Sequence, residues 1–288
     1  MRWRARTTLC LLVGIFWLVD CRADAAEIRE FLIGPAHLKA KQMARDELPR
    51  VDMPVEFSSN VWITKIESEV VDAKGTPLPR QLLCHNNLFA GQWSGGYPSL
   101  AWVPESSPVS FPSDTGFPLQ GGTPYRWMSI FQNPFDEAYG DVFLRIRITL
   151  EPRDTASKRR RMLDLVMFCV KECSHEGYAV PPGRSVDRSP VSFGQAGTVM
   201  LMLPHIHRYG TRLTFERASL AEEGTSKVIF EVKPNETNMG AGGVPIWRSD
   251  AGLHVTPEEQ FLLVAEYDNP TTAPWPAMGM LFIFMVPD

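Results

Sequence analysis

Two histidines separated by one residue, His205 and His207, are the side chains of this chain best suited to metal chemistry. The apolar residues before them predict a β-strand, in which alternate side chains point to the same face. Their Cβ atoms would then lie about 6.5–7 Å apart, close enough for both imidazoles to bind one ion. The same period puts one set of side chains on that face: Val199, Leu201, Leu203, His205, His207 and Tyr209. The alternative is a pair of structural histidines.

Two methionines, Met278 and Met280, share a face of the last predicted strand by the same rule. A thioether beside two imidazoles suits a copper ion that passes through the cuprous state. Methionine at the start of an apolar strand is also ordinary core filling.

The second half of the chain resembles the second domain of the copper type II, ascorbate-dependent monooxygenases, the peptidylglycine α-hydroxylating and dopamine β-hydroxylating enzymes. The motifs that carry the resemblance are His205-Ile206-His207, Tyr209-Gly210, Met278 three residues before Leu281, Ala179–Gly183 and Glu266–Pro270. The resemblance implies that His205, His207 and Met278 bind the copper at which oxygen and substrate react, with Met280 as a less suited substitute. Ascorbate or another external reductant would supply the electrons.

The first half resembles the same family more distantly, and it also resembles exported relatives that include plant stress and nodulation-type proteins. Val70–Gly75 and Leu82–Asn87 are similar to the stretch that carries a His-His pair for the electron-transfer copper. Here His85 is present, but Asn86 stands in the second position. The family's third histidine is also absent from Ile130–Asn133. We therefore predict a degraded metal site at His85, with Cys84 as the one neighbour that could join it as a thiolate.

The elements that must position these residues are predicted to be strands. Alternating runs occur at 61–67, 142–150, 163–170, 198–208, 227–232, 261–266 and 281–286. Turn clusters and 24 prolines separate them and leave only Ala36–Glu47 tolerant of a helix. The pattern predicts an all-β protein made of two antiparallel β-sandwich (jelly-roll) domains in tandem.

The boundary between these domains is predicted near residue 155. The basic run Lys158–Arg161 is typical of a solvated linker or hairpin tip. The N-terminal sandwich would cover residues 26–155, with the degraded copper site, and the C-terminal one residues 156–288, with the His-x-His/Met site.

Residues 1–25 have the features of a signal peptide: three early arginines, the apolar run Leu9–Val19 and the small residues Ala23-Asp24-Ala25. We therefore expect an exported protein, periplasmic or extracellular, without a membrane anchor. Residues 26–288 keep 25 basic and 31 acidic residues, because the leader holds four Arg and two Asp. This balance gives no electrostatic reason to bind nucleic acid.

Three cysteines follow the leader: Cys84, Cys169 and Cys173. On a straight strand the last two would lie about 13 Å apart, so a disulfide between them requires a turn. His175 follows closely, which leaves a Cys/Cys/His zinc site as an alternative.

The sequence thus predicts an exported copper-binding protein related to copper type II monooxygenases. One interpretation is a single-copper oxidative enzyme that acts on C–H bonds of a small molecule or peptide of unknown identity. The alternative is a non-catalytic β-sandwich that serves as a binding or interaction module.

Overall fold

The computed structural model describes most of the chain after residue 25. The described residues are 26–43, 48–91, 98–103, 106–153, 160–171, 173, 177–218, 225–234 and 244–288. The predicted signal peptide and His175 lie outside them. No helix in this described part is long and apolar enough to cross a membrane.

Nearly all regular structure in the described residues is β-strand, which confirms the all-β fold class. The first ten strands are β1 (Glu27–Leu38), β2 (Arg50–Glu56), β3 (Val61–Val71), β4 (Leu83–Ala90), β5 (Leu100–Trp102), β6 (Val109–Ser110), β7 (Thr115–Leu119), β8 (Pro124–Phe131), β9 (Tyr139–Pro152) and β10 (Arg161–Met162). The last ten are β11 (Asp164–Cys169), β12 (Tyr178–Val180), β13 (Gly183–Val191), β14 (Gly197–Ile206), β15 (Gly210–Ala218), β16 (Ser226–Val232), β17 (Trp247–Val255), β18 (Phe261–Asn269), β19 (Trp275–Ala277) and β20 (Gly279–Pro287). A 3-10 turn at Arg80–Leu82 precedes β4.

Two sheets are built from β1 to β10. The larger has the order β1-β9-β3-β7-β10 with β6 beside β3, and the smaller has the order β2-β8-β4-β5. Alternate residues of β9 are buried, as expected for a strand with one face in a core. These side chains share a single apolar cluster with Trp102 and Trp127 of the smaller sheet. We call these two sheets the N-terminal sheets.

Two further four-stranded sheets, the C-terminal sheets, have the orders β11-β20-β14-β17 and β13-β18-β15-β16, and a short ladder joins β12 to β19. Aromatic residues fill the core between them. The rings of Phe215 and Phe261 stack with centroids 5.1 Å apart, and Phe193 meets Phe261 edge-on at 5.3 Å. The division into two jelly-roll domains at residue 155 stays a prediction.

The strand β14 is buried on both faces. Every residue from Val199 to Leu203 is fully buried, because one face packs in the C-terminal core and the other packs against the N-terminal sheets. The second contact includes Phe284 of β20, whose ring lies 5.1 Å from that of Phe111. A strand covered on both faces is continuously apolar rather than alternating.

Two local predictions are wrong. A β-bulge at Met200 interrupts the pairing of β14 with β20, so Val199 packs in the C-terminal core while Leu201 and Leu203 face the N-terminal sheets. One extra residue shifts the alternation of every side chain on one side of the bulge. The helix-tolerant stretch begins as strand instead, because Ala36 and Leu38 belong to β1 and pair with β9.

Candidate metal centre between the N-terminal and C-terminal sheets

The two candidate histidines lie where β14 ends and the chain crosses to the other C-terminal sheet. His205 is the penultimate residue of β14 and pairs with Met280 of β20, and Ile206 is the final strand residue. The Gly210 N–H donates to the His207 carbonyl at 3.0 Å, which closes a turn before β15. The two imidazole centroids are 4.9 Å apart.

Tyr209 does not continue the strand face on which it was predicted. It lies in the turn after β14 with φ of 70°, a left-handed conformation that ends the alternation. Its ring meets that of Trp275 with centroids 5.1 Å apart.

A second β-bulge, in β4, brings a thiol to these histidines. Leu83 pairs with Phe131 and His85 with Ile130, so Cys84 is the extra residue. A bulge breaks the strict alternation of a strand and redirects a side chain. As a result the neighbouring side chains meet, with His85 Nδ1 3.3 Å from Cys84 Sγ.

The three side chains Cys84, His205 and His207 form a compact set of ligand atoms. One atom from each lies within 4.8 Å of the other two, and Cys84 Sγ is 3.7 Å from His207 Nε2. A tetrahedral ion with an S–metal bond of about 2.3 Å and an N–metal bond of about 2.0 Å would separate its ligands by about 3.5 Å. The Cys84–His207 separation is close to this value, and the 4.8 Å limit puts a nitrogen of His205 near the same point.

His205 is buried, and its ring nitrogens are unpaired within the described part of the chain. His205 is 4% exposed, and neither of its ring nitrogens has a partner among the described residues. Buried polar groups are almost always paired, so an orphaned imidazole next to a thiol needs an explanation. Coordination of an ion supplies one.

The electrostatics keep both imidazoles neutral, which is the form that binds metals. Burial lowers the pKa of His205 well below its ordinary value, and the nearby rings of His207 and His85 lower it further. Burial also lowers the pKa of His207 to about 4, against a hydrogen bond to the Pro276 carbonyl that raises it. Since Nε2 faces Cys84, Nδ1 is the nitrogen left for this carbonyl, an arrangement that fixes the tautomer and the ring of a metal ligand.

The methionines lie beside the histidines on β20. The Met278 carbonyl accepts a hydrogen bond of 2.9 Å from the His207 N–H, and Met278 is buried. Met280 is directly opposite His205, so their side chains share a sheet face. The assignment of either sulfur as a ligand stays a prediction.

A cavity of about 640 Å³ adjoins the histidines. Both halves of the chain line it: Met43, Gln81, Gln132, Pro134 and Phe135 before residue 155, and residues such as Arg208, Tyr209, Trp275 and Pro276 after it. His205 and His207 also line the cavity. His207 as a whole is half-buried, although its ring belongs to the group of ligand atoms. The centre is therefore reachable from a space large enough for a small organic ligand.

The structure brings together residues that the sequence had assigned to two sites. His205 and His207 lie together with the backbone of Met278 beside them, and Cys84 of the predicted degraded site lies within the same group of ligand atoms. His85 lies just behind, with its ring 6.4 Å from that of His205. The sequence signal for this meeting was only the presence of Cys84 beside His85.

The remaining two described cysteines are joined to each other. Cys169 and Cys173 form a disulfide with Cα atoms 5.3 Å apart. The required turn is provided in part by Lys171, whose φ of 62° is left-handed. This bond removes both thiols from the alternative zinc site with His175.

No family model and no curated protein matches this chain. Among solved structures, a chain from the atomic structure of Sulfolobus turreted icosahedral virus is similar over 90% of this chain and 91% of its own, with 10% identity and a TM-score of 0.40. A protein of Parabacteroides distasonis that was assigned as secreted is similar over 91% of this chain and 90% of its own, with 10% identity and a TM-score of 0.22.

Proposed function

We propose that this chain is an exported copper-binding protein that holds one ion between its N-terminal and C-terminal sheets. Cys84, His205 and His207 would be the protein ligands. The observation that carries the proposal is the convergence of their ligand atoms within 4.8 Å in a buried position. The ring nitrogens of His205 support it, because they are buried without a hydrogen-bond partner among the described residues, which is rare in a protein core.

Copper is favoured by the types of ligand that surround the ion. Two imidazoles and a thiolate suit both zinc and copper, and copper binds such sites more tightly. Met280 on the face of His205 and Met278 beside His207 add soft thioethers, which suit the cuprous state. The resemblance to copper type II monooxygenases points to the same metal.

An oxidative role is supported by the cavity next to the centre. A copper ion there would exchange single electrons with an external reductant such as ascorbate and would meet oxygen and a small substrate. The walls combine aromatic rings with the polar groups of Gln81, Gln132 and Arg208, a typical composition for a ligand pocket. The protein's part is to hold the ion and to enclose the substrate.

A non-catalytic binding role is the second candidate, and one observation favours it. Among the described residues, the first-half ligands meet the second-half ligands in a single group rather than forming a separate second centre. A two-copper reaction that draws one electron from each metal would lack its second site.

Export is supported by the disulfide as well as by the leader-like residues 1–25. The Cys169–Cys173 bond is of the kind that persists in oxidising compartments.

Metal analysis of the protein purified from an export host tests the proposal. After reconstitution with copper and dialysis, we expect about one copper per chain, and loss of that copper in the His205→Ala/His207→Ala variant. His254→Ala is the matched control, since this histidine is exposed and pairs with Asp288. Stoichiometric zinc with copper excluded would reassign the metal, and the absence of bound metal in the wild-type protein would overturn the proposal.

Catalysis is tested on the loaded protein. Ascorbate-dependent oxygen uptake that rises with a peptide or phenolic substrate would support the oxidative role. Bound copper without any such uptake would leave the binding role.

A further inference from the structure

We infer that the ion at this centre is ligated by the Cys84 thiolate, and that His85 sets its reduction potential through a hydrogen bond to that sulfur. This inference rests on the proposed function. It assigns His85 as a positioning residue that acts through Cys84, instead of as a ligand of a separate metal site.

The geometry of the β4 bulge carries the inference. Consecutive strand residues normally point to opposite faces, but Cys84 and His85 approach each other with Nδ1 3.3 Å from Sγ. This is a normal separation for an N–H donor and a sulfur acceptor. Both residues are buried, at 3% and 8% exposure, so the contact is shielded from bulk water.

The same sulfur also approaches the histidines at the end of β14. Cys84 Sγ lies 3.7 Å from His207 Nε2, which is a distance between two ligands of one ion. The ring of His85 stays outside the set of mutually close ligand atoms, with its centroid 6.4 Å from that of His205. The sulfur therefore contacts a candidate ligand, His207, and also Nδ1 of His85, which donates a hydrogen bond when it carries the ring proton.

The chemical consequence has a definite sign. A thiolate donates electron density to a cupric ion, and an N–H directed at the sulfur withdraws part of that density. The cupric state loses more stabilisation than the cuprous state, so the hydrogen bond raises the reduction potential. Hydrogen bonding around the cysteine sulfur is one of the main determinants of potential in copper sites that contain a Cys and two His.

Visible absorption of the copper(II)-loaded protein tests the thiolate. We expect an intense thiolate-to-copper charge-transfer band in the wild-type protein. Cys84→Ser should abolish the band, and the weak ligand-field absorption of any remaining copper should persist. Copper bound stoichiometrically without a charge-transfer band in the wild-type protein, or a band that survives in Cys84→Ser, would overturn the inference.

A redox titration tests His85. Ascorbate delivers one electron to the cupric centre and ferricyanide removes it, so the couple is followed without any bond being made or broken. Loss of one charge-assisted hydrogen bond in His85→Ala should change the ratio of cuprous to cupric affinity by about tenfold, which lowers the potential by about 59 mV for a one-electron couple. His85→Asn keeps an N–H at the position of Nδ1 and should restore most of the potential.

The outcomes separate this inference from the proposed function. If the wild-type protein binds no metal, both are wrong. If copper binds with the charge-transfer band but His85→Ala and His85→Asn both leave the potential at the wild-type value, as His254→Ala should, the role of His85 is refuted and the metal site stands.

Discussion

Replacing His205 with leucine should stabilise the metal-free protein, because this buried histidine destabilises the fold when no ion is bound. Both ring nitrogens are buried and lack a partner among the described residues. A buried polar group that makes no hydrogen bond costs about 1–3 kcal/mol. Leucine has a similar volume and removes the polar atoms. In the presence of a chelator, we therefore expect His205→Leu to raise the free energy of unfolding by about 1–3 kcal/mol.

The expected shift is large enough to measure by calorimetry. For a chain of this size, 1 kcal/mol corresponds to about 2–4 °C in Tm, so the gain should be about 2–12 °C. Copper should reverse the order of the two proteins. A ligand at about 1,000 times its Kd stabilises the wild-type fold by about 4 kcal/mol, and the variant, which has lost one of the three ligands, should gain much less.

The comparison is made in chelator and in excess copper, with His254→Leu as the control for an exposed histidine. A His205→Leu variant that is less stable than the wild type in chelator would refute the reasoning. It would mean that the imidazole has an unrecognised partner in the metal-free fold.

Three further predictions follow from particular contacts. The pKa of His207 is 6.5 in the unfolded chain and about 4 in the folded protein, so the unfolded state binds more protons at acidic pH. The free energy of unfolding of the metal-free protein should therefore fall by about 3 kcal/mol between about pH 6.5 and about pH 4. Urea titrations at each pH measure this change. His207→Leu should remove most of this slope. Phe284→Ala should lower the free energy of unfolding in urea by about 3–5 kcal/mol, because its fully buried ring packs on Phe111 across the two halves. A loss below about 1 kcal/mol would contradict that packing. Replacing Cys169 and Cys173 by serine removes the disulfide that closes a short loop, and it should lower the free energy of unfolding by about 2 kcal/mol and with it the Tm. An unchanged Tm would show that the disulfide does not constrain the unfolded chain.

The sequence was informative wherever local pattern and residue type were sufficient. Alternating and apolar residues have a strong β signal and predict the strand that carries His205, whose observed bounds are Gly197–Ile206, while His207 lies just beyond its end. The closeness of the two rings depends also on the turn that follows β14 and contains His207. The all-β class follows from short apolar runs separated by turn residues and prolines.

The errors arise where the fold overrides local pattern. Ala36 and Leu38 are in a stretch compatible with a helix, but they pair with the long strand β9, and pairing in a buried sheet outweighs propensity. Val199 was placed on the wrong face because a bulge at Met200 is invisible in the spacing of apolar residues when both faces of the strand are buried.

The approach of Cys84 to the histidines was beyond what spacing can predict. It depends on the bulge in β4 and on the packing of the C-terminal sheet against the N-terminal sheets, and the two partners are 123 residues apart in sequence. A cysteine outside the disulfide and next to a histidine is compatible with many roles. Only the juxtaposition of β4 and β14 identifies this cysteine as a ligand candidate.

Bound copper should link the N-terminal and C-terminal sheets, because its ligands come from both sets of sheets. Cys84 belongs to β4 and His205 to β14, and each strand is anchored in its own sheet. An ion bound by both would suppress local opening of both strands at once, since opening of either one breaks a metal bond. Hydrogen exchange measured by mass spectrometry should therefore show copper-dependent protection in peptides that cover Leu83–Ala90 and Gly197–Ile206 alike. In Cys84→Ala the protection of Leu83–Ala90 should disappear, while Gly197–Ile206 keeps part of its own through the two histidines. Protection confined to Gly197–Ile206 in the wild-type protein would mean that the histidines bind copper without the thiolate, and the two halves would then be joined by apolar packing alone.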